Sequence, residues 1–548
     1  MQNMHAHCKI CISALRLKLL NVLVSYCVFF EKFTYGLINV SNQSDREVTT
    51  LGDISKLCII GAGFAGLTAT RVFKALNYEV TLYEKDSEVG GVWAASRRYP
   101  GLTTQNTRST YELSDFPMPS DYPEWPSGAQ VQAYMHSYVI NYNFSDQVHL
   151  NTEVTNTIYR PESQTWEVST ATKMADGSIK NDIQDFDYLI VGNGIFSIPS
   201  VPHYLGQEAF ASAGGRLCHT SEFNNREDAK GKHVLVIGYG KSSCDVANAI
   251  APLTASTRVI ARNLIWKIPK MIANKLNYKH LFLSRMSEAL FRYIRLRGMD
   301  KFFHTIGNPI RKSMLNTVEY IIEKQLGLRR LGLHPNKPLE TIARSTVSLV
   351  SDGFYEAIDR GDILMHKHTE IVELMAGKAR LSSGEVVPAD IIVCGTGWHQ
   401  RCTFLDQDVL SKVTDEEGNF RLYRSILPVD MPRLAFNGYN SSFFSQLNCE
   451  VGALWLADYL NGGFSLPSHE QQNLDIDARL AWMEARTDGK HSKGTNIIPF
   501  SIHNIDELLE DMDMNVGRFT QFFQWTGAVQ PKSYGYLLPE LQKKYLIT

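Results

Sequence analysis

Residues 57–66 read Leu57-Cys58-Ile59-Ile60-Gly61-Ala62-Gly63-Phe64-Ala65-Gly66, a short apolar run that passes directly into three spaced glycines. A run of this length that ends in a glycine turn is typical of a buried parallel strand. In Gly61-x-Gly63-x-x-Gly66 the first glycine permits a tight turn, the second lets the backbone approach a pyrophosphate, and the third lets a helix pack closely on the strand. The stretch therefore predicts a dinucleotide-binding unit with the pyrophosphate at a helix N-terminus.

An acidic residue stands where the ribose of such a nucleotide would lie. The next strand, Val80 to Tyr83, ends at Glu84, eighteen residues after Gly66. A carboxylate at this place accepts hydrogen bonds from a ribose diol and disfavours a 2′-phosphate. Glycines, helix, second strand and acid together predict a site for the adenosine half of FAD.

A second unit of the same kind follows about 177 residues later. The run His233 to Ile237 passes into Gly238-Tyr239-Gly240-Lys241-Ser242-Ser243, and the following strand, Thr257 to Ala261, ends in Arg262 rather than in an acid. Arginine can grip a 2′-phosphate by charge-assisted bonds, and Lys241 and Lys267 add positive charge nearby. This unit predicts an NADPH site, with contacts from Gly238, Gly240, Lys241, Ser242, Ser243 and Arg262.

Two more apolar runs end in glycine turns, Tyr188 to Val191 and Asp390 to Val393. The pattern predicts an α/β fold with two nested Rossmann-like dinucleotide-binding domains and a helical insertion. We expect an FAD-binding domain made of residues 53–228 and 385–548. An NADPH-binding domain is expected over 229–384, with the insertion at about 270–335, and a poorly ordered extension over 1–52.

Composition excludes several classes of protein. The chain has 548 residues, 44% of them hydrophobic and 20% charged, and a net charge of −2, which is typical of a globular protein without general attraction to nucleic acid. Nine cysteines without framework spacing favour a reducing compartment, and we expect a cytoplasmic protein. No metal site is predicted, because the cluster His5, His7, Cys8 and Cys11 is followed by no second ligand pair.

Two segments leave a membrane contact open. Leu19 to Phe30 is mostly apolar but shorter than the roughly 20 residues of a membrane span, so it is an interfacial segment, a signal-like stretch or an ill-ordered extension. Lys270 to Arg330 holds thirteen Lys or Arg against four acids. It predicts either a solvated helical face that packs on the core, or an element at a membrane surface or substrate entrance.

A flavin disulfide reductase would also carry two dinucleotide units. That class needs a redox cysteine pair near the flavin, and residues 85–217 contain no cysteine. The pattern therefore disfavours it.

Together these residues resemble the flavin-containing monooxygenases and the related Baeyer–Villiger monooxygenases, over roughly residues 55–465. Glu84 followed by Gly90-Gly91-Val92-Trp93 is similar to a family element that lies along the flavin, which implies contacts from Gly91 and Trp93. Arg98-Tyr99-Pro100-Gly101 is similar to a Baeyer–Villiger segment, whereas Ser114-Asp115-Phe116-Pro117 favours the flavin-containing type. Gly395-Thr396-Gly397 resembles a late strand end that returns toward FAD, which implies a contact from Thr396.

The resemblance also implies candidate catalytic residues. Residues 215–223 resemble the family's linker signature, although Ala213 stands where Phe is expected, and they suggest a hinge-like role for His219 between the two domains. Phe223 at the end of the signature favours the flavin-containing type. The position that faces the flavin, usually Asn or Asp, falls on Gln105 and is followed by Asn106. We expect one of these two amides to contact the flavin or its peroxide; the alternative is a backbone-capping turn residue.

The implied activity is a monooxygenase reaction in which NADPH reduces FAD and a flavin hydroperoxide puts one atom of O2 into a small lipophilic substrate. The segments Lys270 to Pro335 and Phe436 to Tyr459 are expected to contribute the pocket, and a role in secondary metabolism is suggested by analogy. Two alternatives stay open: a Baeyer–Villiger enzyme that acts on a ketone, and an NADPH-oxidising flavoprotein that transfers no oxygen. Oligomeric state is not predicted.

Overall fold

The computed structural model describes residues 54–344, 347–487 and 493–546. The predictions for residues 1–52, including the apolar run Leu19 to Phe30 and the cluster His5 to Cys11, fall outside the described residues.

The described part of the chain contains both strands and helices. The strands are β1 (Lys56–Ile60), β2 (Glu79–Tyr83), β3 (Val148–His149), β4 (Thr152–Arg160), β5 (Thr165–Lys173), β6 (Ile179–Phe186), β7 (Tyr188–Val191), β8 (Ile198–Pro199), β9 (Arg216–His219), β10 (His233–Ile237), β11 (Ser256–Ala261), β12 (Trp266–Ile268), β13 (Met271–Ile272), β14 (Leu276–Asn277), β15 (Val347–Leu349), β16 (Ile363–Lys367), β17 (Ile371–Met375), β18 (Lys378–Leu381), β19 (Val386–Pro388), β20 (Ile391–Cys394), β21 (Trp398–His399) and β22 (Leu434–Phe436). The helices are α1 (Phe64–Ala75), α2 (Arg108–Tyr111), α3 (Gly128–Asn141), α4 (Gln207–Ser212), α5 (Lys241–Ile250), α6 (Lys279–Phe282), α7 (Arg285–Ala289), α8 (Gly298–Phe303), α9 (Asn308–Leu326), α10 (Phe354–Arg360), α11 (Gln407–Val413), α12 (Ser445–Leu460), α13 (His469–Thr487), α14 (Ser501–Asp511), α15 (Arg518–Thr526) and α16 (Leu537–Leu546).

Two five-stranded parallel sheets form the framework. The first has the order β22-β7-β1-β2-β3, and the second has the order β16-β11-β10-β20-β9. The central strands β1, β7, β10 and β20 are almost wholly buried, as their unbroken apolar sequences predicted. The two glycine turns follow β1 and β10, so each lies at the carboxyl end of its sheet, where α/β folds bind ligands.

The pairing of two strands moves the expected domain boundaries. Strands β9 and β20 flank each other in the second sheet, with Cys218 in register with Val393. Residues 216–219 and 391–394 were expected in the FAD-binding domain, and the structure places both in the second unit. The expected limits of 229 and 384 were too narrow because a strand's sheet is decided by its partner, which a single sequence does not reveal.

The region between β12 and β15 is the predicted insertion, and it is largely helical. It contains the short helices α6, α7 and α8 and the long helix α9, after a small hairpin formed by β13 and β14. Eight of its thirteen cations form ion pairs with carboxylates, and most of these partners lie outside the insertion. The pairs are Lys270–Asp352, Lys279–Glu124, Arg285–Asp506, Arg295–Asp475, Arg297–Glu510, Arg311–Glu340, Arg329–Glu323 and Arg330–Asp359.

The carboxyl-terminal helices complete the first unit. Helix α12 is buried along nearly its whole length and packs on α1, the helix of the first glycine turn. Helix α14 packs on α12 and carries acidic residues that pair with the insertion. Among the described helices, none is long and apolar enough to cross a membrane.

Candidate functional site

The turn after β1 has no room for side chains at its first and third glycines. Gly61 has a φ of +99°, and a Cβ there would lie 2.8 Å from the carbonyl oxygen of Gly192. A Cβ on Gly66 would lie 1.8 Å from the carbonyl oxygen of Gly61. Helix α1 therefore packs on β1 at a distance that only glycine allows. Its first amides have no partner within the helix and are available to a pyrophosphate.

The carboxylate of Glu84 is already part of this turn. Its Oε2 accepts a hydrogen bond from the Ala62 amide at 2.7 Å, and its Oε1 accepts one from the Asp86 amide at 2.9 Å. Burial raises the pKa of Glu84, while the two amides oppose this rise. Each carboxylate oxygen has a second lone pair, so the group can still accept hydrogen bonds from a ribose diol.

The segment after Glu84 closes one side of the first turn. A Cβ on Gly91 would lie 3.1 Å from the Cα of Gly63, so the two backbones are in contact. Trp93 is buried and meets the ring of Tyr111 edge to face at 5.6 Å, and Tyr111 meets Phe64 at 5.8 Å. These rings form an apolar wall beside the glycine turn, consistent with the predicted positions of Gly91 and Trp93 along a flavin.

The segment that follows β22 closes the other side of the first glycine turn. The Asn437 side chain donates to the carbonyl of Ala65 at 2.8 Å, which ties this segment to the start of α1. Within the described residues, the buried Asn440 Oδ1 has no hydrogen-bond partner. An unpaired buried polar atom is costly, so it fits a cleft that holds a polar ligand.

The sequence predicted that Phe436 to Tyr459 contributes to the substrate pocket. In the structure the start of this segment, at Asn437 and Gly438, lies against the first nucleotide turn. An apolar strand followed by polar residues and a glycine could have indicated this position in the sequence. The signal was weak because β22 is only three residues long.

The two candidate amides of the flavin-facing loop point to different partners. The Gln105 side-chain oxygen accepts a hydrogen bond from the Leu349 amide at 3.1 Å, so it reaches the second unit. Asn106 is buried, and its Nδ2 donates to the carbonyl of Phe443 at 2.7 Å. The Asn106 amide therefore lies within the first unit, and that of Gln105 does not.

The second glycine turn is built differently at its third position. Gly238 has a φ of +104°, and a Cβ there would lie 2.7 Å from the carbonyl oxygen of Gly395. The third position is Ser243, whose hydroxyl donates to the carbonyl of Ile237 at 3.1 Å. A Cβ on Gly240 would meet no atom of the described chain within 4 Å, so a ligand can approach the backbone there.

The cations near this turn have unequal access. The Arg262 side chain is 77% exposed, and its nearest carboxylate, Glu370, is 4.0 Å away. Lys241 is engaged with the buried Asp245, with an Nζ–Oδ2 distance of 2.6 Å. Arg262 is therefore the cation of this group that is free to meet a phosphate.

Lys267 does not supply the positive charge that was expected of it. The residue is buried, its Nζ donates to the Ser348 hydroxyl at 2.7 Å, and it lies 4.7 Å from the ring centre of Tyr239. Burial lowers its pKa. All three residues of β12 are buried, Lys267 among them, which the sequence alone did not reveal.

The end of β20, which precedes Thr396, contacts the second glycine turn rather than the first. A Cβ on Gly395 would lie 2.0 Å from the Ser243 hydroxyl, and the Thr396 hydroxyl donates to the carbonyl of Ser200. The resemblance implied that this strand end returns toward FAD. In the structure it closes the second nucleotide turn and joins it to the chain crossing at β8.

His219 lies at the junction of the two units. It ends β9, is buried, and its Nδ1 accepts from the Ser221 amide at 3.2 Å. Its ring meets Trp398 at 4.6 Å, and the Arg97 guanidinium lies 4.6 Å from the same Trp398 ring. Burial lowers the pKa of His219, which favours the neutral ring. The hinge-like role of His219 stays a prediction.

A cavity of about 180 Å³ lies between the insertion and α14, and its lining is charged. His503 donates through its two ring nitrogens to Glu288 at 2.8 Å and to Asp300 at 3.0 Å. These carboxylates raise the pKa of His503 to about 10 and keep it cationic. The expected lipophilic pocket is not found in this cavity, which is a seam of ion pairs that fixes the insertion to the carboxyl-terminal helices.

Two parallel sheets, each with a glycine turn and helix at the carboxyl end of a central strand, define a protein with two dinucleotide-binding folds. One turn carries a buried acid and an aromatic wall, and the other carries an exposed arginine. This is the arrangement of a two-nucleotide flavoprotein oxidoreductase.

The chain belongs to the FMO-like family, described as flavin-binding monooxygenase-like, which matches residues 54–523. A probable flavin-containing monooxygenase 1 of Arabidopsis thaliana is 26% identical over 510 residues, which cover 85% of this chain and 93% of that protein. Flavin-containing monooxygenase 1 of Rattus norvegicus is 24% identical, and the match covers 78% of this chain and 77% of that protein.

Solved structures share the fold. A cyclohexanone monooxygenase with bound ε-caprolactone has a TM-score of 0.63 at 16% identity, with 83% of this chain and 97% of that chain covered. A steroid monooxygenase bound to NADP has a TM-score of 0.62 at 18% identity, with 84% and 98% covered. The predicted family, the fold of two dinucleotide-binding domains and the class of flavin-dependent monooxygenase are confirmed.

Proposed function

We propose that this flavin-dependent monooxygenase holds FAD in the first cleft and takes its electrons from NADPH in the second. The observation that carries the proposal is the contrast between Glu84 and Arg262. A buried carboxylate suits the ribose diol of FAD. An exposed guanidinium whose contact with Glu370 is long, at 4.0 Å, and open to solvent suits the 2′-phosphate that separates NADPH from NADH. The solved steroid monooxygenase that shares the fold binds NADP, which supports the second assignment.

Each cleft has its own contacts. In the first, Gly61, Gly63 and Gly66 receive the pyrophosphate, and Glu84 the ribose. Gly91 and Trp93 line the flavin. In the second, the turn of Gly238, Gly240, Ser242 and Ser243 receives the pyrophosphate, Arg262 receives the 2′-phosphate, and Lys241 supports the turn through Asp245. FAD held by these residues would supply the redox chemistry that activates O2 for transfer of one oxygen atom to the substrate.

The chain's own residues provide a dry and oriented pocket for this chemistry. Trp93, Tyr111 and Phe64 exclude water from the first turn, and Asn106 is held by Phe443 so that its amide is pre-positioned. His219, kept neutral by burial, orients Trp398 and Arg97 at the junction of the units. We expect its replacement by Ala to disturb the coupling of NADPH use to oxygenation more than flavin binding.

The substrate we propose is a small lipophilic molecule with a soft nucleophilic atom, such as an amine or a sulfide. Ser114 to Pro117 and Phe223 favour this heteroatom type. The second candidate is a Baeyer–Villiger reaction on a ketone, which Arg98 to Gly101 favours. A Cβ on Gly101 would lie 2.9 Å from the Asp245 carbonyl, so this segment packs tightly on α5 of the second unit. A role in secondary metabolism stays a prediction.

We do not extend the proposal to a membrane surface. The cations of the insertion are largely paired with carboxylates, which leaves little net charge for anionic lipid. The insertion is better explained as a packed cover over the junction of the two units.

One experiment separates these candidate functions. The purified protein is supplied with NADPH and with a sulfide or a cyclic ketone, and NADPH consumed, sulfoxide or lactone formed, and H2O2 released are measured together. Sulfoxide in near-equal amount to NADPH supports the proposal, and lactone supports the second candidate. NADPH consumption that appears entirely as H2O2 with every substrate would identify an oxidase instead.

A further inference from the structure

The short loop before α2 touches both nucleotide units through two neighbouring residues. Gln105 is exposed and reaches the second unit, while Asn106 is 3% exposed and is fixed within the first. The Thr104 hydroxyl donates to the Asn106 carbonyl at 2.7 Å and stiffens the loop between them. Because Gln105 and Asn106 are adjacent in the chain, we expect a displacement of Gln105 to move Asn106.

Gln105 is held by two independent contacts. Its Oε1 accepts from the backbone amide of Leu349, and its carbonyl oxygen accepts from the Tyr278 hydroxyl. Tyr278 is buried in the insertion, and burial raises its pKa, so its hydroxyl stays protonated and remains a donor.

Leu349, the partner of Gln105, lies on a strand pair that is close in the chain to the second cleft. Leu349 ends β15, which pairs with β12, and Lys267 on β12 is in register with Ser348. The chain reaches β12 only four residues after Arg262, the proposed ligand of the 2′-phosphate. The β12–β15 pair is thus a short rigid link between that arginine and Gln105.

We propose that Gln105 is a positioning residue. Through its hydrogen bond to Leu349, it couples the position of the second unit to the position of the Asn106 side chain in the flavin cleft. The inference rests on the proposed function of the two clefts. Gln105 does not touch the reacting atoms; it acts through Asn106. Its length is part of the argument, because Asn has one methylene fewer and would fall short of the Leu349 amide.

The test uses four variants of the full-length, FAD-loaded protein. Gln105→Leu removes the acceptor, Gln105→Asn shortens it, and Gln105→Glu keeps an acceptor of the right length at an exposed position. Glu124→Gln is the matched control, because Glu124 also joins the insertion to the first unit through Lys279 at 2.9 Å.

Two readouts are combined. The first is the fraction of NADPH that appears as H2O2 in the presence of a sulfide. We expect it to rise about fivefold in Q105L and Q105N, the factor for loss of one ordinary hydrogen bond. We expect Q105E to stay near wild type. The second is hydrogen–deuterium exchange of the peptide that spans β15, which needs no turnover and should be faster in Q105L and Q105N but not in Q105E.

Opposite outcomes overturn the inference. Exchange at β15 that is unchanged in Q105L shows that the contact does not hold this strand. A leak of H2O2 in E124Q as large as in Q105L shows general loosening rather than a specific link. A wild type that binds flavin but never oxidises NADPH refutes the proposed function, and the exchange measurement then still decides whether Gln105 holds β15.

Discussion

The two glycine turns of this chain share one architecture but differ in how far they are closed before a ligand binds. At the first, the third glycine is in contact with backbone, and the Glu84 carboxylate is buried and bonded to two amides. At the second, a serine takes the third position and the recognition residue, Arg262, is exposed to solvent.

The difference corresponds to two kinds of binding. A pre-formed, desolvated cleft suits a cofactor that stays through many turnovers, because little order is lost when it binds. An open cleft with an exposed cation suits a co-substrate that must leave, since the arginine gains its partner only when the phosphate arrives. The first cleft is therefore built for retention and the second for exchange.

The largest expected effect comes from adding one methyl group to the first turn. Gly66→Ala places a Cβ against the Gly61 carbonyl, where backbone cannot give way, and should cost at least about 3 kcal/mol of stability. We expect protein with little bound flavin, measured by the ratio of visible to ultraviolet absorbance. Ser243→Ala, the matched change in the second turn, should retain flavin; equal flavin loss in both would erase the contrast.

Loss of the carboxylate charge at the first turn should have the next largest effect. Glu84→Gln replaces one acceptor oxygen by an NH2 donor, so it loses one of the two hydrogen bonds from the backbone amides and removes the charge near the ribose, a change of about 1.5–3 kcal/mol. FAD should bind about 10- to 100-fold more weakly in a titration of stripped protein. Glu79→Gln, on the exposed side of the same strand, is the control and should bind FAD as wild type does.

Arg262→Ala should weaken the binding of NADPH alone. Removing one charge-assisted phosphate contact should raise the KM for NADPH about tenfold and leave kcat, flavin content and the KM for NADH nearly unchanged. Arg360→Ala removes an equally exposed arginine of the second unit and should leave all four unchanged. A parallel rise of both KM values in R262A would mean that the guanidinium does not read the 2′-phosphate.

The smallest effect on the donor is expected from Lys267→Met. The amine is buried and is held by the Ser348 hydroxyl, so the KM for NADPH should change less than about twofold, as for a residue with no ligand contact. A tenfold rise would show that Lys267 reaches the phosphate after all.

The same variant should change the pH dependence of stability. Burial lowers the pKa of Lys267 in the folded protein below its value in the unfolded chain. At a pH between these two pKa values the unfolded chain binds more protons than the folded protein. The wild-type protein therefore loses stability as the pH falls from the unfolded pKa toward the folded pKa. K267M lacks this titration. Its unfolding free energy relative to wild type should therefore be higher near pH 7 than near about pH 10, measured by denaturant titration at both values. A difference that does not change with pH would contradict the lowered pKa.

Much of the fold was accessible from the sequence because it rests on local constraints. A glycine at a positive φ, an apolar run that fills a parallel strand, and an acid or arginine at the end of the second strand each act within about thirty residues of chain. The two nucleotide turns, the helices that follow them and the helical insertion were predicted on this basis.

The remaining features depended on contacts between distant segments. Gly395-Thr396-Gly397 closes the second turn because β20 pairs with β10 and β9, and its sequence suits either sheet. Either Gln105 or Asn106 was predicted at the flavin, and it took the structure to show that the Gln105 side chain bonds to Leu349, 244 residues away. A membrane contact of the positive insertion stayed open until its carboxylate partners, spread from Glu124 to Glu510, were placed beside it.

The amino-acid sequence by itself determined that this protein has two dinucleotide-binding units, because that property comes from residue type at short spacing. It also predicted which of them accepts a phosphorylated ribose, on the same basis. Only the tertiary structure decided which cationic side chains are exposed to solvent. It also decided which unit each of the Gln105 and Asn106 side chains contacts. The reason is that burial and pairing are properties of neighbours in space: one lysine on β12 turns into the core, one arginine after β11 stays in solvent, and nothing in either residue's own sequence context distinguishes them.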